Sequence, residues 1–403
     1  MRLRLGFLGS PWSWIVFGTL LRIAHIATLG NRYYFGDTVE YESAALRILH
    51  GMGLESTSPR APLYPLFLAL SFWLGGEGNF LAARLLKLGL AIGLMITVSK
   101  LAGRLGGRPA ATLGAAGIAL APTIVFVSGL LYPTTLYMTL LAVFTLVAWD
   151  LGERPSGRRG ALFGAVLGLG WLTDQVFLAP AGAIGVWLLF RMREHGAATA
   201  RGLAVAAIVA AMTVLPYLTT LQHSGTDRVF MRKAQSVLHS ARTDPVLAQE
   251  RWVHFPPETP FVARSPQGFL HQEGALFLHQ PIAYLHDLAW EFLHFFRPVP
   301  DRIQSENRFT QPAVLYVGGL YFLALLTLAI LGLGFGAGPR HGRILLALVV
   351  LVTAVFYSFF FTQARYRIPI EPALIVLAAL GVQRAFPRLT AVLSGETVET
   401  RAS

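Results

Sequence analysis

Two kinds of residue in this chain are placed where they could do chemistry on a charged substrate at a membrane surface. The first is a carboxylate, Asp37, in the polar stretch that follows the first apolar segment. The second is arginine: Arg60 closes the same stretch, and Arg365 and Arg367 flank Tyr366 in a very short connection between two late apolar segments. A carboxylate can accept a proton from an attacking hydroxyl. A guanidinium stays charged and offers a planar fork that pairs bidentately with phosphate. Asp37-Thr-Val-Glu40 also has the spacing of a capping box, in which Asp37 would do no more than accept the backbone N–H three residues on. Snorkelling to headgroup phosphates is the corresponding structural reading of each arginine.

The elements that must hold these residues are apolar. The chain has 403 residues, 54% hydrophobic and only 13% charged, with a mean hydropathy of +0.55. Apolar runs recur at 12–29, 80–100, 110–127, 131–150, 160–173, 176–190, 201–221, 313–335, 344–361 and 368–385. Runs of this length are long enough to cross a bilayer as helices, so the expected class is an all-α polytopic membrane protein with about 10–11 spans. The net charge of +12 is explained by basic loops facing anionic lipid and the cytoplasm, and no nucleic-acid partner is expected. Basic residues cluster at Lys100/Arg104/Arg108, Arg154/Arg158/Arg159, Arg191/Arg193/Arg201 and Arg340/Arg343, whereas the connections at 128–132 and 173–176 carry none. That alternation follows the positive-inside rule if residues 60–76 form a re-entrant or surface-lying segment rather than a span. The N-terminal run, which contains Arg22 and His25, reads as an uncleaved first span.

The expected organisation is an N-terminal transmembrane module over 1–222 with a first outer loop at 31–59. An extracytoplasmic loop with amphipathic juxtamembrane helices follows over 223–310, then C-terminal spans over 311–386 and a disordered tail over 387–403. The segment from His279 to Phe296 suits a helix at the lipid interface, or the core of a small soluble lid. Its histidines, with His271 before them, recur every seven or eight residues, about 10–12 Å apart along a helix and too far to share a metal. There is no cysteine. No P-loop, dinucleotide glycine pattern or nucleophile elbow occurs, so nucleotide-powered and serine-hydrolase readings lack support. Asp174, at an outer turn in Trp171-Leu-Thr-Asp-Gln175, is a further ionisable candidate, with a helix cap as its structural reading. Arg22 and His25 are expected to face the bundle interior.

The order Asp37-x-x-x-Tyr41-x-x-x-Ala45, Gly51-x-Gly53, Arg60-x-Pro62-x-Tyr64-Pro65 resembles the first outer loop of GT-C superfamily glycosyltransferases. The likeness is to the bacterial branch related to protein O-mannosyltransferases and aminoarabinose transferases. Ala83-Arg84-Leu85, Gly103-Arg104 and Arg365-Tyr366-Arg367-x-Pro369-x-x-Pro372 continue it, and the segment from Pro281 to Phe296 is similar to that family's juxtamembrane region. The resemblance implies a bacterial inner-membrane enzyme working on the periplasmic or outer face. Its donor would be a polyprenyl-phosphate sugar, and its acceptor a glycan, lipid or protein among the membrane lipids. It implies Asp37 at the acceptor, and Arg60, Arg365 and Arg367 on the donor phosphate. Glu40, Tyr41, Tyr64, Asp174 and Tyr366 are further substrate-site candidates. It requires no certain cofactor and leaves room for a divalent cation. Two departures stand out: members often carry an acidic residue near 130–136, where this chain has Thr134, and a basic one where it has Asp174. Competing readings are a transporter or flippase of lipid-linked intermediates, and a ligase or polymerase of lipid-linked glycans. The paired broken helices of a two-half transporter are not visible in the sequence.

Overall fold

The structure, a computed structural model, describes residues 9–53, 60–223, 266–300, 309–360 and 362–388. The described residues form helices and turns and no strand. In order they are α1 (Pro11–Ala27), α2 (Asp37–Leu49), α3 (Leu63–Gly75), α4 (Phe80–Leu120), α5 (Pro122–Gly129), α6 (Thr134–Glu153), α7 (Gly157–Thr173) and α8 (Leu178–His223). Then come α9 (Pro266–His279), α10 (Pro281–Phe295), α11 (Pro312–Phe335), α12 (Arg340–Ser358) and α13 (Glu371–Ala385), the last preceded by a helical turn at Ala364–Arg367. The expected tail after Arg388 and most of the loop between α8 and α9 lie outside the described residues.

Among the described residues, seven helical stretches are at least 18 residues long and apolar enough to cross a bilayer. The ten expected spans nevertheless all fall on helix. Two of them, α1 and α7, are 17 residues long, and α4 and α8 each carry two spans. Helix α4 breaks at Gly107, whose φ of 75° a residue with a Cβ rarely adopts. The chain doubles back there: Ser99 Oγ donates to the Ala111 carbonyl at 3.0 Å, and Gly114 packs on Ala102. Helix α8 breaks likewise at Gly196 (φ 42°). Its second arm runs alongside α7, with Gly160, Gly164 and Gly168 against Gly202, Ala206 and Ala210. Such a small-residue seam lets two backbones touch where lipid gives helices no hydrophobic reason to associate.

Helix α6 fixes the direction of the bundle. Its far end gathers basic residues: Arg104 Nε lies 3.4 Å from Asp150, and Glu153 meets Arg191 and His341, each at 3.0 Å. Its near end follows Tyr132, whose ring is 6.2 Å from that of Tyr41 on α2. Twenty helical residues span about 30 Å, so the basic loops and the first polar stretch occupy opposite ends of the bundle. Helix α3 does not connect those ends. Its 13 residues reach only about 20 Å. It starts beside Tyr41, with the Tyr64 and Tyr41 rings 5.2 Å apart. It ends at a turn where Asn31, just after α1, accepts from the Phe80 N–H at 2.8 Å and donates to the Gly78 carbonyl at 3.0 Å. Both ends of α3 therefore lie on the α2 side, as the re-entrant reading requires.

Three buried cations hold this end together, and none has a carboxylate partner among the described residues. Arg22 donates to the carbonyls of Gly18, Ile118 and Ala119. Lys87 donates to those of Val127, at 3.1 Å, and Leu130. Arg84 donates to Gly129, at 2.9 Å, and to Gly30 and Arg32. Breaking a helix at membrane depth, as at Pro122 and again at Pro133, frees carbonyls that lipid cannot satisfy. A cation at a helix C-terminus satisfies them and complements the helix dipole. Arg84 ties the loop that leads into Asp37 to the end of α5.

The juxtamembrane helix α10 is inverted relative to a soluble helix. Ile282, Leu285 and Leu293 are 79%, 53% and 67% exposed, while Asp287 and Glu291 face inward. An outward apolar face with an inward acidic one fits the lipid interface rather than the core of a soluble lid.

Replacing Arg84 by Leu leaves the buried Gly129 carbonyl and the part-buried Gly30 and Arg32 carbonyls without this donor, at a cost of about 1–3 kcal/mol. Thermal unfolding of the purified protein in detergent should show a clear drop in midpoint for Arg84→Leu, and a smaller one for the exposed Arg158→Leu.

Candidate active site

The candidate site forms where the start of α2 meets the turn before α13. Gly36, not Asp37, occupies the N-cap position of α2, so the capping-box reading of Asp37 does not describe its role. The carboxylate faces two arginines instead. Arg365 Nη1 donates to Asp37 Oδ2 at 3.1 Å, and Arg60 Nη2 lies 3.7 Å from Oδ1. Residues 328 apart in sequence are thus in direct contact.

Each arginine is held from behind. Arg60 Nε donates to Glu40 Oε2 at 2.8 Å, Nη2 donates to the same oxygen, and the guanidinium lies 4.9 Å over the Tyr41 ring. Burial opposes the charge on Arg60, but Tyr41, Glu40 and Asp37 together outweigh it and hold its pKa above the ordinary value. Arg365 Nη2 donates to the Tyr366 hydroxyl at 3.4 Å, and Tyr366 stacks on Tyr357 with ring centroids 4.6 Å apart. The turn carrying Arg365 is pinned by α10, where Glu291 accepts from the Thr362 N–H and from Thr362 Oγ1, both at 2.7 Å.

Behind Arg365 lies a cavity of about 730 Å³. Its walls are apolar residues of α1, α5 and α11 and the aromatic pair Phe126 and Phe309, whose rings are 4.7 Å apart. Leu120, Val314 and Val317 line it while remaining 48%, 46% and 64% exposed, so the cavity opens sideways toward lipid. Its polar groups are few: Arg365, Arg367, Gln363, Tyr132, His25 and the hydroxyls of Thr123, Thr134 and Thr310. The Tyr132 phenol contributes a neutral O–H donor.

No family model matches the sequence, and no curated protein matches it. Solved structures do match. The apo form of ArnT from Cupriavidus metallidurans superposes with a TM-score of 0.62 at 15% identity, over 94% of this chain and 61% of that one. The same enzyme bound to undecaprenyl phosphate gives 0.59 at 16% identity, over 94% and 62%. The oligosaccharyltransferase AglB from Archaeoglobus fulgidus, with an inhibitory peptide and dolichol-phosphate, gives 0.55 at 16% identity, over 94% and 50%. The chain shares the fold of these structures. It spans about three fifths of the ArnT chain and half of the AglB chain.

Within this fold, the residues singled out by sequence divide into two groups. Asp37, Glu40, Tyr41, Arg60, Arg365 and Tyr366 converge on one site. The others are engaged elsewhere. Arg367 is 3% exposed, donates to the carbonyls of Arg297 and Pro298, and lies 3.8 Å over the Phe322 ring. It lines the cavity but reaches neither Asp37 nor Arg365. Tyr64 is fully buried against Tyr41 and Phe67. Asp174 Oδ1 accepts the Val176 N–H at 3.1 Å and caps the turn after α7.

Sequence reasoning passed over three residues here. Glu291 positions the Arg365 turn, and Tyr132 lines the cavity beside Asp37. Glu371, fully buried, opens α13 and accepts from Thr123 Oγ1. A charge inside a span was the available signal for Glu371; the other two have no motif around them. The residues present do not suit a divalent cation at Asp37, because two guanidiniums already stand against its carboxylate and Glu40 is taken by Arg60.

The Asp37–Arg365 pair is about a third exposed on each side, so its worth to stability is small. A double-mutant cycle of Asp37→Asn and Arg365→Gln, read by unfolding midpoints, should give a coupling of about 1 kcal/mol or less. Coupling several times larger would mark a structural rather than a functional pair.

Proposed function

We propose that the protein is a membrane glycosyltransferase that takes its sugar from a polyprenyl-phosphate-linked donor and passes it to an acceptor hydroxyl on the extracytoplasmic side. One observation carries this reading: an apolar cavity open sideways to lipid ends at Arg365, and Asp37 stands on the other side of that guanidinium. An isoprenoid tail suits the apolar walls, and a phosphate suits the arginine fork. The fold is shared with ArnT, an aminoarabinose transferase solved with undecaprenyl phosphate, and with AglB, solved with dolichol-phosphate. The basic end of the bundle belongs in the cytoplasm by the positive-inside rule, which turns Asp37 outward. In a bacterium that is the periplasmic side of the inner membrane.

The reaction follows from the charges. The acceptor oxygen attacks the anomeric carbon as the bond from that carbon to the phosphate oxygen breaks. The electron pair of that bond leaves with the polyprenyl phosphate, where Arg365 meets the growing charge, with Arg367 deeper on the cavity wall. The acceptor's proton passes to the Asp37 carboxylate. Arg60, fixed by Glu40 and Tyr41, stands 3.7 Å from Asp37 and holds the start of α2 to the α3 entry. One direct displacement inverts the anomeric carbon. The acceptor class is a hydroxyl-bearing glycan, lipid or protein.

Transfer of labelled sugar from synthetic polyprenyl-phosphate sugars into membranes tests the proposal. Wild type should transfer from at least one donor. Asp37→Asn should lose about 10²–10⁴-fold, and Arg365→Ala about 10²-fold or more, at matched expression. Equal rates in all three would remove Asp37 and Arg365 from the chemistry.

A further inference from the structure

The arrangement around Asp37 poses a chemical problem for a proton acceptor. Both carboxylate oxygens face guanidiniums, Oδ2 with Arg365 at 3.1 Å and Oδ1 with Arg60 at 3.7 Å. With a guanidinium in front of each oxygen, the carboxylate has little room for an incoming hydroxyl.

The two arginines are not equivalent. Arg60 uses Nε and Nη2 on Glu40 and rests over the Tyr41 ring, so three contacts fix it in place. It stands nearly an ångström beyond hydrogen-bond length from Asp37. Arg365 makes the one close bond to the carboxylate, and it also lines the cavity. Its Nε is buried and has no hydrogen-bond partner among the described residues. The fork is therefore only partly used: one Nη on Asp37, one long contact to Tyr366, and a vacant Nε. A phosphate in the cavity mouth can take two donors from such a fork at once, which a single bond to Asp37 does not match.

We propose that Arg365 is exchanged from Asp37 to the donor phosphate, so that filling the cavity is what frees the Asp37 carboxylate to accept the acceptor's proton. This rests on the donor reading given above and adds an order to it. Without donor, Arg365 neutralises the base. With donor bound, the same guanidinium stabilises the leaving group, and Asp37 keeps only the more distant Arg60. The base is active only when there is a sugar to transfer. Arg365 then acts on Asp37 as a positioning residue and on the phosphate directly.

Exchange makes Asp37 a competitor of the donor for Arg365, and that consequence can be measured without any turnover. The full chain in phosphatidylcholine nanodiscs would be titrated with undecaprenyl phosphate and read by native mass spectrometry. Four forms are compared: wild type, Asp37→Asn, Arg365→Gln and the double variant. The exchange predicts that Asp37→Asn binds undecaprenyl phosphate about fivefold more tightly than wild type, even though it transfers sugar poorly. It predicts that Arg365→Gln binds more weakly, and that Asp37→Asn gives no gain in the Arg365→Gln background. Wild-type binding with no tightening in Asp37→Asn would overturn the exchange and leave the donor reading standing. Equal tightening in both backgrounds would also overturn it, since that is the response to removing any nearby negative charge. Failure of every form to bind would overturn the donor reading and the exchange together.

Discussion

A helix can be interrupted inside a bilayer only where the carbonyls it frees find donors, and the architecture of this protein is arranged around that constraint. Its first polar stretch, its short helix α3 and its broken α4–α5–α6 path all need such donors at one depth. Arg22, Arg84 and Lys87 supply them from inside the bundle, each spending its charge on two or three backbone oxygens. Arg84 matters most for function, because two of its three carbonyls, Gly30 and Arg32, belong to the loop that presents Asp37. A buried cation without a carboxylate is costly in isolation. Here the interrupted backbone is its counter-charge.

The same logic holds the other half of the site. The turn between α12 and α13 is too short to shape itself, and the neighbouring α10 shapes it from outside. Glu291 takes both donors of Thr362, and Arg367 grips the carbonyls just after α10. The apolar face of α10 points outward, so the inward acidic face is free to order the turn. Arg365 is left as the residue of that turn that reaches across to the first loop. A carboxylate from the N-terminal quarter and a guanidinium from the last tenth of the chain then share one surface, next to a cavity that lipid can enter from the side.

Much of this was legible in the sequence because it is written in repetition. Apolar runs marked the spans, and the alternation of basic and uncharged connections sorted the loops into two sets that the structure places at opposite ends of the bundle, whereas the same alternation left open whether residues 60–76 cross. That Asp37, Arg60, Arg365 and Arg367 share one face followed from that topology; which of them touch did not. What could not be read was how single side chains divide their bonds. Asp37-Thr-Val-Glu40 has the spacing of a cap, yet the helix starts one residue earlier than that motif requires, and Asp37 turns to the arginines. Arg367 has the same chemistry as Arg365 two residues away, but it points into the bundle and is consumed by backbone carbonyls. Tyr64 and Tyr41 look alike in the first-loop pattern, and only Tyr41 touches a charged group of the site. Glu291 and Tyr132 lie in no motif, and their partners are distant in sequence, so no local spacing announces them.

The central claim is that residues 37 and 365 stand together on the outward face. The chain contains no cysteine, so Asp37→Cys and Arg365→Cys can be introduced together without any background thiol. Spheroplasts carrying this variant would be treated with a short, membrane-impermeant bis-maleimide and the digested protein searched for the linked peptide. The account predicts a 37–365 link formed from outside. If both cysteines react with a membrane-permeant thiol reagent and yet no link forms from outside, either the contact or its sidedness is wrong, and the site described here does not exist as such.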